Sequence, residues 1–234
     1  MRALTLLLVL SSLGCPTAPA ADDDDDATEP VDDRLLFAFP VAEAWLIESV
    51  VGYDHDPEVF DDNPLAAANC TNYAGDGFPA CYDEHDGSDF ILEGAFTTMD
   101  DGSATVVAAA PGTVVSIEQD QYDRCHATFE GVSCDGNPII GNHVILEHDD
   151  GTRTKYWHLM RDSVLVELGD DVSCGAELGL IGSSGNSSTP HLHFEVEVQP
   201  DGAAVDPYAG PESQPVSWWR EQDGPFALPG PSCE

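Results

Sequence analysis

The segment 179–198, GLIGSSGNSSTPHLHFEVEV, holds the residues whose types and spacing are best suited to chemistry. His191 and His193 open a run in which apolar and acidic residues alternate, a period typical of a half-buried strand. Residues i and i+2 of a strand share a face, so both imidazoles should point into one cleft. Such a pair suggests a metal ligand and a second polar group. For an isolated His-x-His pair, one exposed and one core histidine remain an alternative with roughly half the prior.

A second pair of candidate ligands is His85 and Asp89, whose even spacing places them on one face of an extended segment. Zinc binds such nitrogen and oxygen donors, and a hydrolytic zinc site uses three protein ligands and keeps a position for water. One histidine of the His191 and His193 pair would complete the set. A further imidazole is needed to transfer protons, and His158 and the remaining histidine are the candidates.

Three segments in this order, HDGSD, YWHL and HLHFE, resemble the lysostaphin-type (LytM-like) zinc metallopeptidase family. The resemblance covers residues 80–208 and implies one zinc ion in a groove. It also implies an exported zinc metalloendopeptidase that hydrolyses peptide bonds in bacterial peptidoglycan through a zinc-activated water. The expected fold class is all-β, a barrel-sandwich hybrid of antiparallel sheets with irregular disulfide-tied loops.

By the same resemblance, the metal ligands are His85, Asp89 and His193, and the catalytic histidines are His158 and His191. Which histidine acts as the base stays open. Because no position is lost, an enzyme is favoured over the alternative, a non-catalytic cell-wall-binding regulator or scaffold of the same fold. A third hypothesis is a zinc hydrolase of small D-amino-acid peptides or secreted proteins.

Some features depart from the family pattern. Thr189 stands where the family often has glycine, and an arginine usual shortly before the first ligand has no counterpart. Residues 70–82 resemble an insertion with its own cystine. The tail, with Trp218 and Trp219, has no clear match, and we expect it to pack on the domain rather than to form a substrate platform.

The chain begins with features of an export signal. Residues 1–14 combine a positive start with an apolar run too short to span a bilayer, and Cys15 follows as in a bacterial lipoprotein. Ordinary cleavage after Ala20 is the alternative. We therefore expect a cell-envelope protein, a periplasmic or outer-membrane lipoprotein, secreted if Cys15 is not the anchor.

Cysteine content supports export. Apart from Cys15, an even set remains, typical of a disulfide framework. The candidates are Cys70, Cys81, Cys125, Cys134, Cys174 and Cys233. The entropic cost of loop closure favours pairs that are near in sequence. It therefore predicts Cys70 with Cys81 and Cys125 with Cys134, and by default Cys174 with Cys233.

Acidic residues dominate the composition, with 44 Asp and Glu against 7 Lys and Arg. Residues 15–33 should form the lipid anchor and an acidic disordered linker, 34–210 the zinc metallopeptidase domain and 211–234 a C-terminal extension. Strong negative charge argues against nucleic acid and against an anionic bilayer surface as partners. We expect a monomer whose substrate is the peptide part of peptidoglycan and which contacts the membrane through its lipid anchor only.

The remaining patterns predict strands. Residues 104–118 indicate two strands around a Pro111-Gly112 turn, and residues 143–158 indicate a hairpin around Asp149-Asp150-Gly151. No useful helical period follows residue 51. Four other histidines have no partner at ligand spacing and are interpreted as structural or surface residues: His55, His126, His143 and His148.

Overall fold

The computed structural model describes residues 34–56, 69–225 and 227–234. The predicted signal peptide, Cys15 and the acidic linker lie outside these residues. In the described part of the chain, no helix is long and apolar enough to cross a membrane.

Short strands account for most of the regular structure. In chain order they are β1 (Ile47–Val51), β2 (Ser88–Leu92), β3 (Thr105–Val107), β4 (Gly112–Glu118), β5 (His126–Thr128), β6 (Gly131–Ser133), β7 (His143–Glu147), β8 (Thr152–Trp157), β9 (Asp171–Val172), β10 (Glu177–Leu180), β11 (His191–Val198) and β12 (Ala203–Val205). The helical elements are a 3₁₀ turn (Ala44–Leu46) and α1 (Phe96–Asp100).

Eight strands form one sheet in the order β1-β2-β11-β8-β7-β4-β9, with β12 paired to β11. Two further sheets have two strands each, β10-β3 and β5-β6, and all of these strand pairs are antiparallel. The predicted all-β class of antiparallel sheets is therefore confirmed. The large sheet is open, and its described strands do not close into a barrel.

The alternation along β11 divides the large sheet into two faces. Leu192, Phe194 and Val196 are fully buried and point into the hydrophobic core. The N-terminal segment covers this face through Phe37, whose ring packs against that of Phe194 at 6.2 Å. The tail contributes Trp219, which lies 5.3 Å from the Phe194 ring. One face is thus core, and the opposite face carries the odd-numbered polar residues.

The two predicted turns have different outcomes. The Asp149-Asp150-Gly151 turn joins β7 to β8 in a hairpin, as expected, with Gly151 at φ 83°. The two strands predicted around Pro111-Gly112 both exist, but they do not pair with each other. β3 pairs with β10, whereas β4 pairs with β7 and β9. Each strand finds its partner far along the chain, because the fold places the two in different sheets.

The structure has the three disulfides that the loop-closure argument predicts, namely Cys70–Cys81, Cys125–Cys134 and Cys174–Cys233. The first ties the segment before β2, and the second closes the β5-β6 hairpin. The third joins the tail to the loop between β9 and β10, so it holds the tail and its tryptophans near the core.

Candidate metal centre

Two neighbouring strands and one loop position the predicted ligands. Asp89 on β2 is directly opposite His193 on β11 in the antiparallel register. His85 precedes β2 in a loop, where Glu84 adopts a left-handed φ of 60°. The expectation of one extended segment from His85 to Asp89 is wrong, because β2 begins only at Ser88 and the chain bends at Gly87, which brings the imidazole within 3.1 Å of the carboxylate.

The three side chains converge on one point. His85 Nε2 lies 3.1 Å from Asp89 Oδ1, and His193 Nδ1 lies 2.8 Å from the same oxygen. The two ring nitrogens are 3.2 Å apart. Bonds of about 2.0–2.2 Å from a tetrahedral zinc ion place neighbouring ligand atoms roughly 3.3 Å apart, so these separations suit zinc. In the described ranges, these residues are the one group of His, Cys, Asp or Glu side chains that meets this criterion.

Hydrogen bonds to the far side of each ligand orient it toward that point. His85 Nδ1 donates to the Gly52 carbonyl oxygen at 2.6 Å, which leaves Nε2 unprotonated and free to coordinate. The Tyr82 hydroxyl donates to Asp89 Oδ2 at 3.3 Å and leaves Oδ1 for a metal. The residues present thus fit a divalent cation with nitrogen and oxygen preference.

The electrostatics of the site favour positive charge. Burial opposes ionisation of Asp89, but His85 and His191 hold the pKa of its carboxyl well below its usual range. Burial likewise opposes protonation of His193, yet its contacts with Asp89 and Glu195 raise the pKa of this imidazole to about 9. Glu195 Oε2 lies 3.8 Å from His193 Nε2, the nitrogen turned away from the ligand cluster. The two carboxylates that favour a proton here would favour a cation as well.

The predicted catalytic histidines lie against this cluster. His191 Nε2 is 3.4 Å from Asp89 Oδ1, and its Nδ1 donates to the Thr189 carbonyl oxygen at 2.7 Å. His158 Nδ1 donates to the Ser184 carbonyl oxygen at 2.7 Å. The two rings have centroids 4.6 Å apart. In both imidazoles the bonded Nδ1 leaves Nε2 as the atom available to hold or transfer a proton.

His158 reaches the groove through its backbone conformation. Strand parity would send it into the core with Tyr156, but β8 ends at Trp157 and His158 has a left-handed φ of 65°. This conformation is uncommon for residues other than glycine and costs free energy. It turns the imidazole toward His193, with ring centroids 5.9 Å apart.

Burial, and then the neighbouring His191 and His193, lower the pKa of His158 to about 3. His158 is therefore neutral at pH 7, with its Nε2 lone pair free to accept a proton.

Gly87 is required by close approach to the ligands. A Cβ atom at this position would lie 2.8 Å from the His193 ring and 2.6 Å from the Phe194 carbonyl oxygen. Any larger residue in the HDGSD segment would therefore displace His193 or the strand that carries it.

A groove of about 340 Å³ opens over the cluster. Among the residues of this site that sequence reasoning missed are Tyr82, Trp157 and Glu195. A signal for Glu195 was present, because it follows His193 by two residues and must share its face of the strand. Tyr82 gave no such signal, since its contact with Asp89 depends on the loop before β2.

The other four histidines lie outside the ligand cluster. His148 is buried between Pro111 and Thr154, and His143 donates to or accepts from the Ser116 hydroxyl at 2.9 Å. His126 contacts the Arg124 carbonyl oxygen. His55 Nε2 pairs with the Asp206 carboxylate at 2.8 Å, a contact outside the ligand cluster that agrees with a structural role.

Comparisons with known proteins identify a family and similar chains. A profile of peptidase family M23 matches residues 85–207. The chain is 41% identical over 63 residues to the peptidoglycan DD-endopeptidase ShyB and 40% identical over 63 residues to ShyA, both of Vibrio cholerae. Each match covers 27% of this chain and only 14% of the relative. A crystal structure of a zinc-containing peptidase from Vibrio cholerae has 25% identity and a TM-score of 0.45, covering 74% of this chain and 39% of that one.

Proposed function

This chain belongs to peptidase family M23, and from that premise we propose that it is an exported zinc metalloendopeptidase that hydrolyses peptide bonds in bacterial peptidoglycan. One observation carries the proposal. His85, Asp89 and His193 each direct one ligand atom to a common point, and two further histidines beside them have Nδ1 bonded to a backbone carbonyl oxygen, which leaves Nε2 for proton transfer. A scaffold would have no need for this arrangement.

When bound, one zinc ion would supply a Lewis acid that polarises the scissile carbonyl and lowers the pKa of a water molecule. His85, Asp89 and His193 would hold it. One of the two imidazoles, His158 or His191, would accept a proton at Nε2, and only an imidazolium with N–H at both nitrogens could donate a hydrogen bond to the developing oxyanion. The Ser184 and Thr189 carbonyl oxygens fix the tautomers that these roles require.

The names of the matched relatives support peptidoglycan as the substrate. Both are peptidoglycan DD-endopeptidases, and the family profile matches residues 85–207, the part of the chain that carries the predicted ligands. An open groove on a sheet face is also compatible with a polymer chain passing across it.

The direct test is mass spectrometry of purified peptidoglycan incubated with the full chain, with added zinc and then with a chelator. We expect new peptide termini that the chelator abolishes and that a His191→Ala variant does not release. His126→Ala, outside the groove, is the matched control and should act like the parent. Bound zinc without any release would favour a partner-gated hydrolase or one that acts on other peptides, and absence of zinc would favour the non-catalytic wall-binding alternative.

Anchoring forms a separate part of the proposal. Peptidoglycan is itself largely anionic, so an acidic enzyme gains no electrostatic attraction to it. A lipid on Cys15 and an acidic linker over residues 15–33 would confine the domain near the wall and raise its effective concentration. Cys15→Ala should then move the protein from the membrane fraction to the soluble fraction. Unchanged fractionation would refute the anchor and leave the hydrolase proposal standing.

A further inference from the structure

The row of residues that contains the metal ligands continues across the sheet. In the antiparallel register, Asp89 is opposite His193, His193 is opposite Trp157, and Trp157 is opposite His143. Directly opposed residues project to the same face of a sheet, and neighbouring strands are about 4.8 Å apart. The indole of Trp157 therefore stands one strand away from a predicted zinc ligand, on the face that carries the groove.

Neighbouring groups fix the orientation of this indole. His143 stacks on it, with ring centroids 4.8 Å apart and an interplanar angle of 22°, and the Ser116 hydroxyl holds His143 in place. Burial lowers the pKa of His143, so the stacked imidazole is neutral at pH 7. Gly141 lies so close that a Cβ there would be 3.0 Å from the indole Cε3 atom. Because His143 covers one face of the ring, the opposite face is the one turned toward the metal centre.

The groove has walls of different chemistry. Trp157, Ile139 and Gly141 contribute uncharged surface to its lining, and Glu84, Asp86 and Glu195 contribute carboxylates. Ile139 is 57% exposed although it is a large aliphatic residue. An exposed isoleucine beside a rigid aromatic face provides apolar surface that a ligand can cover.

This apolar wall adjoins the reacting position. We propose that Trp157 and Ile139 form a subsite that binds an uncharged, apolar side chain of the substrate residue next to the scissile peptide bond. The inference rests on the proposed peptidase function and adds a substrate class to it. A carboxylate group in this subsite would lose hydration against the indole without gaining an ion pair from Trp157 or Ile139, and contact with the ring face would offset only part of the hydration that an ammonium group loses.

The test uses synthetic peptides that copy the peptide part of peptidoglycan, with each residue varied in turn among alanine, leucine, glutamate and lysine. We expect a preference of about tenfold in KM for the apolar residues at one flanking position, a difference that corresponds to ~1.4 kcal/mol. Trp157→Ala should abolish that preference by raising KM with little change in kcat, and Trp157→Phe should keep most of it. Bound zinc should be unchanged in both variants, which separates a lost subsite from a lost fold.

Binding is measured independently of turnover. In a His191→Ala background, the indole N–H resonance of Trp157, assigned by its absence in Trp157→Phe, should shift saturably with the apolar peptides and not with the charged ones. If Trp157→Ala cleaves the peptides with the same KM and the same residue preference as the parent, the inference is overturned and the peptidase proposal stands. Saturable shifts without any cleavage would support the subsite and refute the peptidase. Neither cleavage nor shifts would refute both.

Discussion

Two buried histidines of this protein, His148 and His85, differ in the partners of their ring nitrogens. His148 is 3% exposed, and both of its ring nitrogens have partners: the Pro111 carbonyl oxygen at 2.7 Å and the Thr154 hydroxyl at 2.9 Å. His85 is 2% exposed, but only Nδ1 has such a partner, and Nε2 meets the side chains of Asp89 and His193. Burial alone therefore does not distinguish a structural from a functional histidine. The distinguishing feature is a second nitrogen that converges with other donors of metal-ligand type.

The strongest way to test this contrast is to remove a converging nitrogen. His85→Ala and His193→Ala should reduce peptidoglycan hydrolysis below detection, because two donors hold zinc far more weakly than three. Release of soluble peptide, followed by chromatography, measures the loss. His148→Ala should retain hydrolysis at temperatures where it is folded. Substantial turnover by either ligand variant would contradict the assignment.

The next largest loss of activity should come from substitution of the two proposed proton-transfer histidines. His158→Ala and His191→Ala should each lower kcat by about 10²- to 10⁴-fold, the range expected for loss of a general acid or base. Zinc content should stay at the parental level in both variants. Loss of zinc together with activity would instead make the altered residue a ligand.

The Tyr82 hydroxyl contacts a predicted metal ligand, Asp89, rather than the metal position itself, so its removal should have a smaller effect. Burial, and then the nearby Asp89, raise the pKa of Tyr82 far above its ordinary value, so the hydroxyl stays protonated and can donate to Asp89. Tyr82→Phe should weaken zinc binding by about tenfold, at the lower end of the range for outer contacts. Competition with a fluorescent zinc chelator measures this change, and an unchanged affinity would remove Tyr82 from the metal centre.

The smallest effect should appear at His148, as a dependence of stability on pH. Burial lowers the pKa of His148, against weaker opposing effects of Pro111, Asp150 and Asp149, so the unfolded state binds a proton more readily than the folded state. The stabilising contribution of neutral, hydrogen-bonded His148 to the free energy of unfolding is therefore fully present above about pH 6.5. It is lost progressively as the pH falls from about 6.5 toward the pKa of the folded state.

The measurement is urea unfolding at pH 7.5 and 5.0. His148→Gln should lower the free energy of unfolding at pH 7.5 by about 1–3 kcal/mol, because buried partners lose their hydrogen bonds. The difference between parent and variant should then narrow at pH 5.0. A difference that widens at acid pH would mean that the folded state, not the unfolded state, binds the proton more readily.

The sequence predicted local patterns better than long-range partners. Strand alternation placed His191 and His193 on one face, and the Asp149-Asp150-Gly151 turn specified a hairpin, because both depend on a few consecutive residues. The pairing of β3 with β10 and the contact of His55 with Asp206 join segments far apart in the chain. Such contacts depend on the assembled sheet, and so does the left-handed backbone that turns His158 out of strand parity.

The central claim is that His85, Asp89 and His193 hold one divalent cation whereas buried His148 holds none. Elemental analysis of zinc in the purified full chain tests it most directly, with His193→Ala and His148→Gln prepared in parallel. We predict one zinc ion per chain in the parent and in His148→Gln, and none in His193→Ala. Zinc retained by His193→Ala at the parental level, or absent from the parent after incubation with excess zinc, would contradict this claim.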